Sequence, residues 1–220
     1  MKATKLSSLA VGVSLLAVAA PTVARADVVI FTFEGLAQQS NITSLALSGG
    51  GLTATLTRPG SAFAIKDESG FQVIGFPTSF GTRTLDPFDN SSSAPFLLNF
   101  SQGITGLSIQ MGDFAGTDTD LLTIELFSGL NGTGTSLGFT SISLADLGDF
   151  AFLTPSVSSA SPALSARFFG GTAGGTNSVY YDNITATFNT ASTAVPEPGT
   201  LALMASGLIG VGFVRRRKRS

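Results

Sequence analysis

Leu121-Leu122-Thr123-Ile124-Glu125-Leu126-Phe127 decides the fold class. Leu122, Ile124 and Leu126 fall on one side of an extended chain and Thr123 and Glu125 on the other. This is the two-residue period of a strand with one dry and one wet face. The alternation recurs at Leu52 to Thr57, where Leu52, Ala54 and Leu56 oppose Thr53, Thr55 and Thr57. It recurs again at the end of Ser178 to Phe188, where Ile184, Ala186 and Phe188 oppose Thr185 and Thr187. Outward from these, shorter apolar or β-branched stretches stand at Val28 to Phe33, Ala62 to Ile65, Phe71 to Phe76, Phe96 to Phe100, Gly106 to Met111, Ser136 to Thr140, Phe150 to Leu153 and Leu164 to Phe169. Gly, Asn, Asp, Ser and Pro separate them, which is turn chemistry. Only Leu144 to Leu147 suggests a helical turn. About ten short strands predict an all-β domain, an antiparallel β-sandwich of jelly-roll type.

That domain is expected over residues 27–189, followed by a small polar linker at 190–194 (Thr-Ala-Ser-Thr-Ala). Seventeen of the 18 Phe and both Tyr lie in it, enough for a sizeable core. The chain has no Cys, His or Trp. A Ser-His-Asp triad, a thiol nucleophile, a disulfide and an ordinary zinc, haem or iron-sulfur site are therefore excluded, and any metal must be held by oxygen. Between Asp27 and Ala194 only Arg58, Lys66, Arg83 and Arg167 face thirteen acidic side chains, a net charge of -9. A body this acidic repels phosphate backbones, so no nucleic acid is expected as a partner.

The two ends read as addresses. Lys2 and Lys5 precede an uncharged run, Leu9 to Ala20, and Ala24-Arg25-Ala26 offers small residues at the spacing that signal peptidase reads. A signal peptide is expected at 1–26, cut after Ala26. Its 12-residue apolar run is well short of the ~20 residues a membrane span needs. At the other end stand Val195, Pro196, Glu197, Pro198, Gly199 and Thr200, then an uncharged stretch Leu201 to Val214, then the basic tail 215–220. The prolines hold 195–200 extended and accessible. Leu201 to Val214 predicts a single hydrophobic helix of about 21 Å, shorter than a ~30 Å hydrocarbon core, so it anchors poorly and transiently. The positive-inside bias keeps Arg215 to Arg219 in the cytoplasm and the domain on the far side.

The order of a Pro-Glu-Pro motif, a short apolar helix and an Arg-rich terminus resembles the PEP-CTERM sorting signal of Gram-negative bacteria, over Val195 to Ser220. The resemblance implies an exosortase-type membrane enzyme as partner, removal of the tail, and delivery to the cell envelope, cell surface or extracellular matrix. Proteins of this group accompany exopolysaccharide production.

Two segments are candidates for chemistry. Phe31-Thr32-Phe33-Glu34-Gly35 and Val179-Tyr180-Tyr181-Asp182-Asn183-Ile184 resemble the first and last strands of carbohydrate-binding-module-like jelly rolls. That resemblance implies that Glu34 and Asp182 bring oxygen ligands to a structural Ca²⁺; carboxylates from two terminal strands would also tie the chain ends together. The turn Met111 to Asp120 carries Asp113, Asp118 and Asp120, a weaker candidate for a cation, and lacks the ligand spacing of an EF-hand. The expected role is structural or weakly glycan-binding, without catalytic residues. The alternative is a glycosidase or lyase on the same scaffold, which would need a carboxylate pair drawn from Glu34, Glu68 and Glu125. The absence of Trp weakens an aromatic sugar platform. Because Tyr180 and Tyr181 alternate, only one of them can face solvent, and the Phe residues are expected in the core.

Overall fold

The computed structural model describes residues 24–69, 78–87, 92–113, 119–144, 151–172, 175–191 and 207–208. Its strands are β1 (Ala24–Phe31), β2 (Gln39–Ile42), β3 (Ser44–Gly49), β4 (Leu52–Thr57), β5 (Phe63–Asp67), β6 (Arg83–Asp86), β7 (Phe96–Asp113), β8 (Asp120–Phe127), β9 (Ser136–Leu144), β10 (Ala151–Leu153), β11 (Ser156–Thr172) and β12 (Tyr180–Ala191). The body formed by residues 25–190 is an antiparallel β-sandwich. Its ladder is continuous, β2-β5-β6-β12-β7-β11-β8-β9, and folds on itself because β7 and β11 are long enough to serve both layers. The second half of β7 pairs with β12, whereas its first half pairs with β4 and with the end of β11. The passage between layers is irregular: the β7–β11 register shifts between Ser158 and Ser165. A Cβ on Gly103 would stand 2.4 Å from the Pro162 ring, so the bend needs glycine there.

Each layer turns one row of apolar side chains inward. Ile65, Leu85, Tyr181 and Met111 are register partners across the first layer. Leu56, Leu98, Ala166 and Leu126 are partners across the second, and all eight are buried. The layers meet through aromatic rings. Phe96 lies 5.6 Å from Phe63, 5.1 Å from Phe168 and 5.3 Å from Tyr181, and Phe168 lies 5.1 Å from Tyr181. Rings packed edge-to-face or stacked at these distances add about 0.5–1.5 kcal/mol per pair to their area burial. Buried Arg58 donates to the carbonyls of Ala62, Pro87, Ser92 and Ala94, which ties the β4–β5 and β6–β7 connections to one guanidinium.

The period-two stretches at Leu52 to Thr57 and Leu121 to Phe127 coincide with β4 and β8. Periodicity did not reveal β2, β3 or β6: each is short, and Ser44–Gly49 and Arg83–Asp86 are rich in small or polar residues whose pairing is decided by neighbours. Phe71 to Phe76 lies outside the described residues. Leu144 ends β9, and the rest of the expected helical turn is also outside them. β1 is described from Ala24, so Ala24-Arg25-Ala26 forms its start, and β12 runs to Ala191, two residues into the stretch read as linker. Of the expected C-terminal helix only residues 207–208 are described, and they are helical; residues 1–23 and the motif at 195–200 lie outside. Among the described residues no helix is long and apolar enough to cross a membrane.

Candidate functional site

A β-bulge builds the first site. Between Asp182↔Gln110 and Thr185↔Ser108 strand β12 carries one more residue than β7, and Asn183 takes it up with φ of +48°. Asparagine tolerates that left-handed conformation better than most side chains. The bulge sends the Asn183 amide toward the 3-10 turn at 78–80, where it donates to the Ser79 carbonyl and, at 2.8 Å, to Gln110 Oε1. The Asp182 carboxylate is 1% exposed and accepts from the Asn183 and Phe33 amides.

The chain then brings Glu34 to the same place. Glu34 sits in the turn after β1 and accepts from the Thr82 amide at 2.6 Å, the Thr82 hydroxyl at 2.8 Å and the Arg83 amide at 2.8 Å. Gly81 makes room for it. Its φ is +70°, and a Cβ there would fall 2.0 Å from Glu34 Oε1. The two carboxyls titrate in opposite directions. Partial desolvation lifts Glu34, but the Arg83 and Thr82 hydrogen bonds and the Arg83 charge outweigh it and leave its pKa below the usual range. Burial pushes Asp182 up to about 7, and the Glu34 charge adds to the rise against the Asn183 and Phe33 amides.

Glu34 and Asp182, assigned from sequence to a calcium ion, therefore come together. The residues fit such an ion: a buried carboxylate faces a second carboxylate, and the oxygens of Ser79 and Gln110 are gathered by Asn183 beside them. All are hard donors suited to Ca²⁺. Among the described residues no group of three or more acidic side chains forms, so the negative charge comes from this pair. One consequence can be measured without metal. A carboxyl whose folded pKa stands above its ordinary 3.8 favours the folded state while protonated and costs stability once ionised. Chelator-treated protein should lose up to about 4 kcal/mol as pH rises from about 4 through 7, levelling above. The Asp182→Asn variant should show a flat profile over that window, read by urea unfolding at several pH values.

The second acidic segment is distributed differently. Asp113 ends β7 and Asp118 lies outside the described residues. Asp120 opens β8 with its carboxyl buried, accepting from the Ser178 hydroxyl at 3.3 Å. The three glutamates of the enzymatic alternative also part. Glu34 is in the bulge site, Glu68 is buried just past β5, and Glu125 stands on the outer face of β8 paired with Arg167.

That outer face is a feature sequence reasoning missed. Leu97, Arg167, Glu125 and Phe139 are successive register partners across β7, β11, β8 and β9. Phe139 is 60% exposed, against the expectation that Phe belongs to the core. Arg167 joins Glu125 at 2.5 Å and lies 5.3 Å over the Phe127 ring. Beside the row a shallow groove of about 350 Å³ is lined by Ser93, Pro95, Thr123, Arg167, Phe169 and Gly175. Ser136 to Thr140 was legible as a strand, but a strand on its own does not reveal which of its faces the neighbouring sheet covers.

No curated protein matches the chain. Among solved structures, it is similar to a family 29 carbohydrate-binding module at 13% identity over 74% of this chain and 89% of that one, with a TM-score of 0.35. A point mutant from a study of ligand recognition by family 29 modules gives 13% identity over 83% and 98%, with a TM-score of 0.35. The family 22 binding module and catalytic module of a Clostridium thermocellum endo-1,4-beta-D-xylanase, complexed with xylohexaose, give 14% over 76% and 29%, with a TM-score of 0.36. Residues 194–218 match the family model of the PEP-CTERM protein-sorting motif, and the chain is accordingly an exported protein sorted to the cell envelope.

Proposed function

We propose that the sandwich is a non-catalytic, glycan-contacting domain that an exosortase-type enzyme delivers to the cell surface or extracellular matrix, with Ca²⁺ held at Glu34 and Asp182 as a structural staple. The observation that carries the glycan reading is the exposed Phe139 ring set in register beside the Glu125–Arg167 pair. A pyranose offers an apolar face to an aromatic ring and hydroxyls to an adjoining fork of donors and acceptors, and this row presents both on a rigid sheet. The groove along Arg167 and Phe169 extends the contact past one sugar. A role for Ca²⁺ at the bulge is structural: it would neutralise the facing carboxylates and join the turn after β1 to β12.

Binding to extracellular polysaccharide from the producing culture, measured by retardation in affinity gels, should fall at least tenfold in Phe139→Ser and in Arg167→Ala. Both variants should keep the wild-type melting temperature, since both side chains are exposed. Unchanged retardation in both would remove this face from the function. Sorting is read separately: the surface form should lack 201–220 by intact mass, and replacing Pro196, Glu197 and Pro198 with alanine should leave that tail attached.

A further inference from the structure

The domain has a single lysine between Asp27 and Ala194, Lys66, and the fold sets it against a buried carboxylate. Lys66 lies on β5 opposite Thr84 of β6, and Asp86 stands one diagonal step away on the same face of that pair of strands. Lys66 Nζ touches Asp86 Oδ2. The Asp86 side chain is 4% exposed, and the lysine ammonium rests 5.7 Å over the Tyr180 ring from the neighbouring strand β12. Two residues along the same face, Glu68 is 2% exposed and its Oε1 has no hydrogen-bond partner; the buried Thr84 hydroxyl between them has none either. A buried acid beside a joined amine and carboxylate is more than a surface ion pair requires, since exposed pairs contribute little and need no third group.

We propose that Lys66 and Asp86 become joined by an intramolecular isopeptide bond, with Glu68 as the proton-transferring group. The Lys66 nitrogen attacks Cγ of Asp86; the new N–C bond forms and a C–O bond breaks. Two ammonium protons leave with that oxygen as one water, and the third stays on the amide. No oxidant, reductant or co-reactant enters. The fold contributes proximity, which turns a bimolecular step into an intramolecular one, and it buries the Asp86 carboxyl where the bond forms, although the Lys66 side chain itself is 41% exposed. Burial raises the Glu68 carboxyl above its usual range, the Lys66 charge opposes that rise and the Asp86 charge adds to it. An acid shifted in that direction keeps its proton to higher pH than an exposed glutamate does, and that proton is the one it would lend to the Asp86 oxygen while accepting one from the nitrogen. In an exported domain without cysteine the bond would do what a disulfide does elsewhere, locking β5 to β6.

Proteolysis of the purified full chain, followed by fragmentation mass spectrometry, tests this directly. The expected result is a branched peptide joining the Lys66 and Asp86 segments, lighter than their sum by one water, with Lys66 inert to amine acylation after denaturation. Lys66→Arg and Asp86→Ala should each yield only linear peptides. Lys66→Arg keeps the ion pair, so a folded but unlinked variant separates the bond from the fold. Glu68→Gln should remain folded with Lys66 open to acylation; a linked Glu68→Gln protein would overturn the role of Glu68. Linear wild-type peptides with acylated Lys66 would overturn the proposal.

Discussion

Replacing Arg58 with methionine should cost about 3–5 kcal/mol of folding stability, the range of a buried hydrogen-bonded charge that leaves several partners unpaired. The guanidinium is 2% exposed. Its Nε donates to Ala94 O at 3.2 Å, Nη1 to Ala62 O at 3.2 Å and to Pro87 O, and Nη2 to Ser92 O at 3.0 Å. Methionine fills similar volume and leaves four carbonyls to be rehydrated or stranded. Three of these carbonyls belong to the β6–β7 connection, 29 to 36 residues along the chain from Arg58, so the loss also frees the loop entropy that one side chain had restrained. Lysine should restore only part, because an ammonium has three donors at a point rather than five on a planar fork. Urea midpoints of the three proteins measure this. A shift below about 1 kcal/mol for Arg58→Met would mean that the loops hold their places by packing alone.

Arg58 also shows where sequence reasoning stops. Between Thr57 and Pro59-Gly60 it reads as an exposed turn residue, and nothing local betrays burial, because its partners are backbone carbonyls that every residue carries. What could be read was whatever repeats along a single strand. β4 and β8 declare both faces through alternation, and Tyr181 was bound to be buried if Tyr180 was not. Glu34 and Asp182 were found through short motifs at the chain ends, yet the Asn183 bulge that aims them was invisible, since one extra residue matters only against a partner strand. Phe139 was misplaced for the same reason: its face is set by β8 lying on one side of β9. The Lys66–Asp86 contact depends on β6, a four-residue strand too short and too polar to announce itself.

The Phe96→Ala variant should lose about 4 kcal/mol, near the upper end for emptying a buried aromatic site, because collapse is blocked on every side. Phe63 and Tyr181 contact the ring edge-on from the facing layer, Phe168, its register partner on β11, stacks on it from its own layer, and the Arg58 guanidinium sits 5.5 Å from its centroid. Rings are stiff and Arg58 is fixed by its four carbonyls, so the neighbours cannot shift into the cavity without breaking polar contacts. That sets a second expectation. Because Arg58 and Phe96 share one contact, combining Arg58→Met with Phe96→Ala should cost less than the two losses added, by about 0.5–2 kcal/mol. Additive losses would separate the loop staple from the aromatic core. A shortfall would establish that the polar clamp and the inter-layer ring cluster stabilise the sandwich as one unit, with the conformation of the 58–62 and 92–94 loops dependent on the packing beneath them.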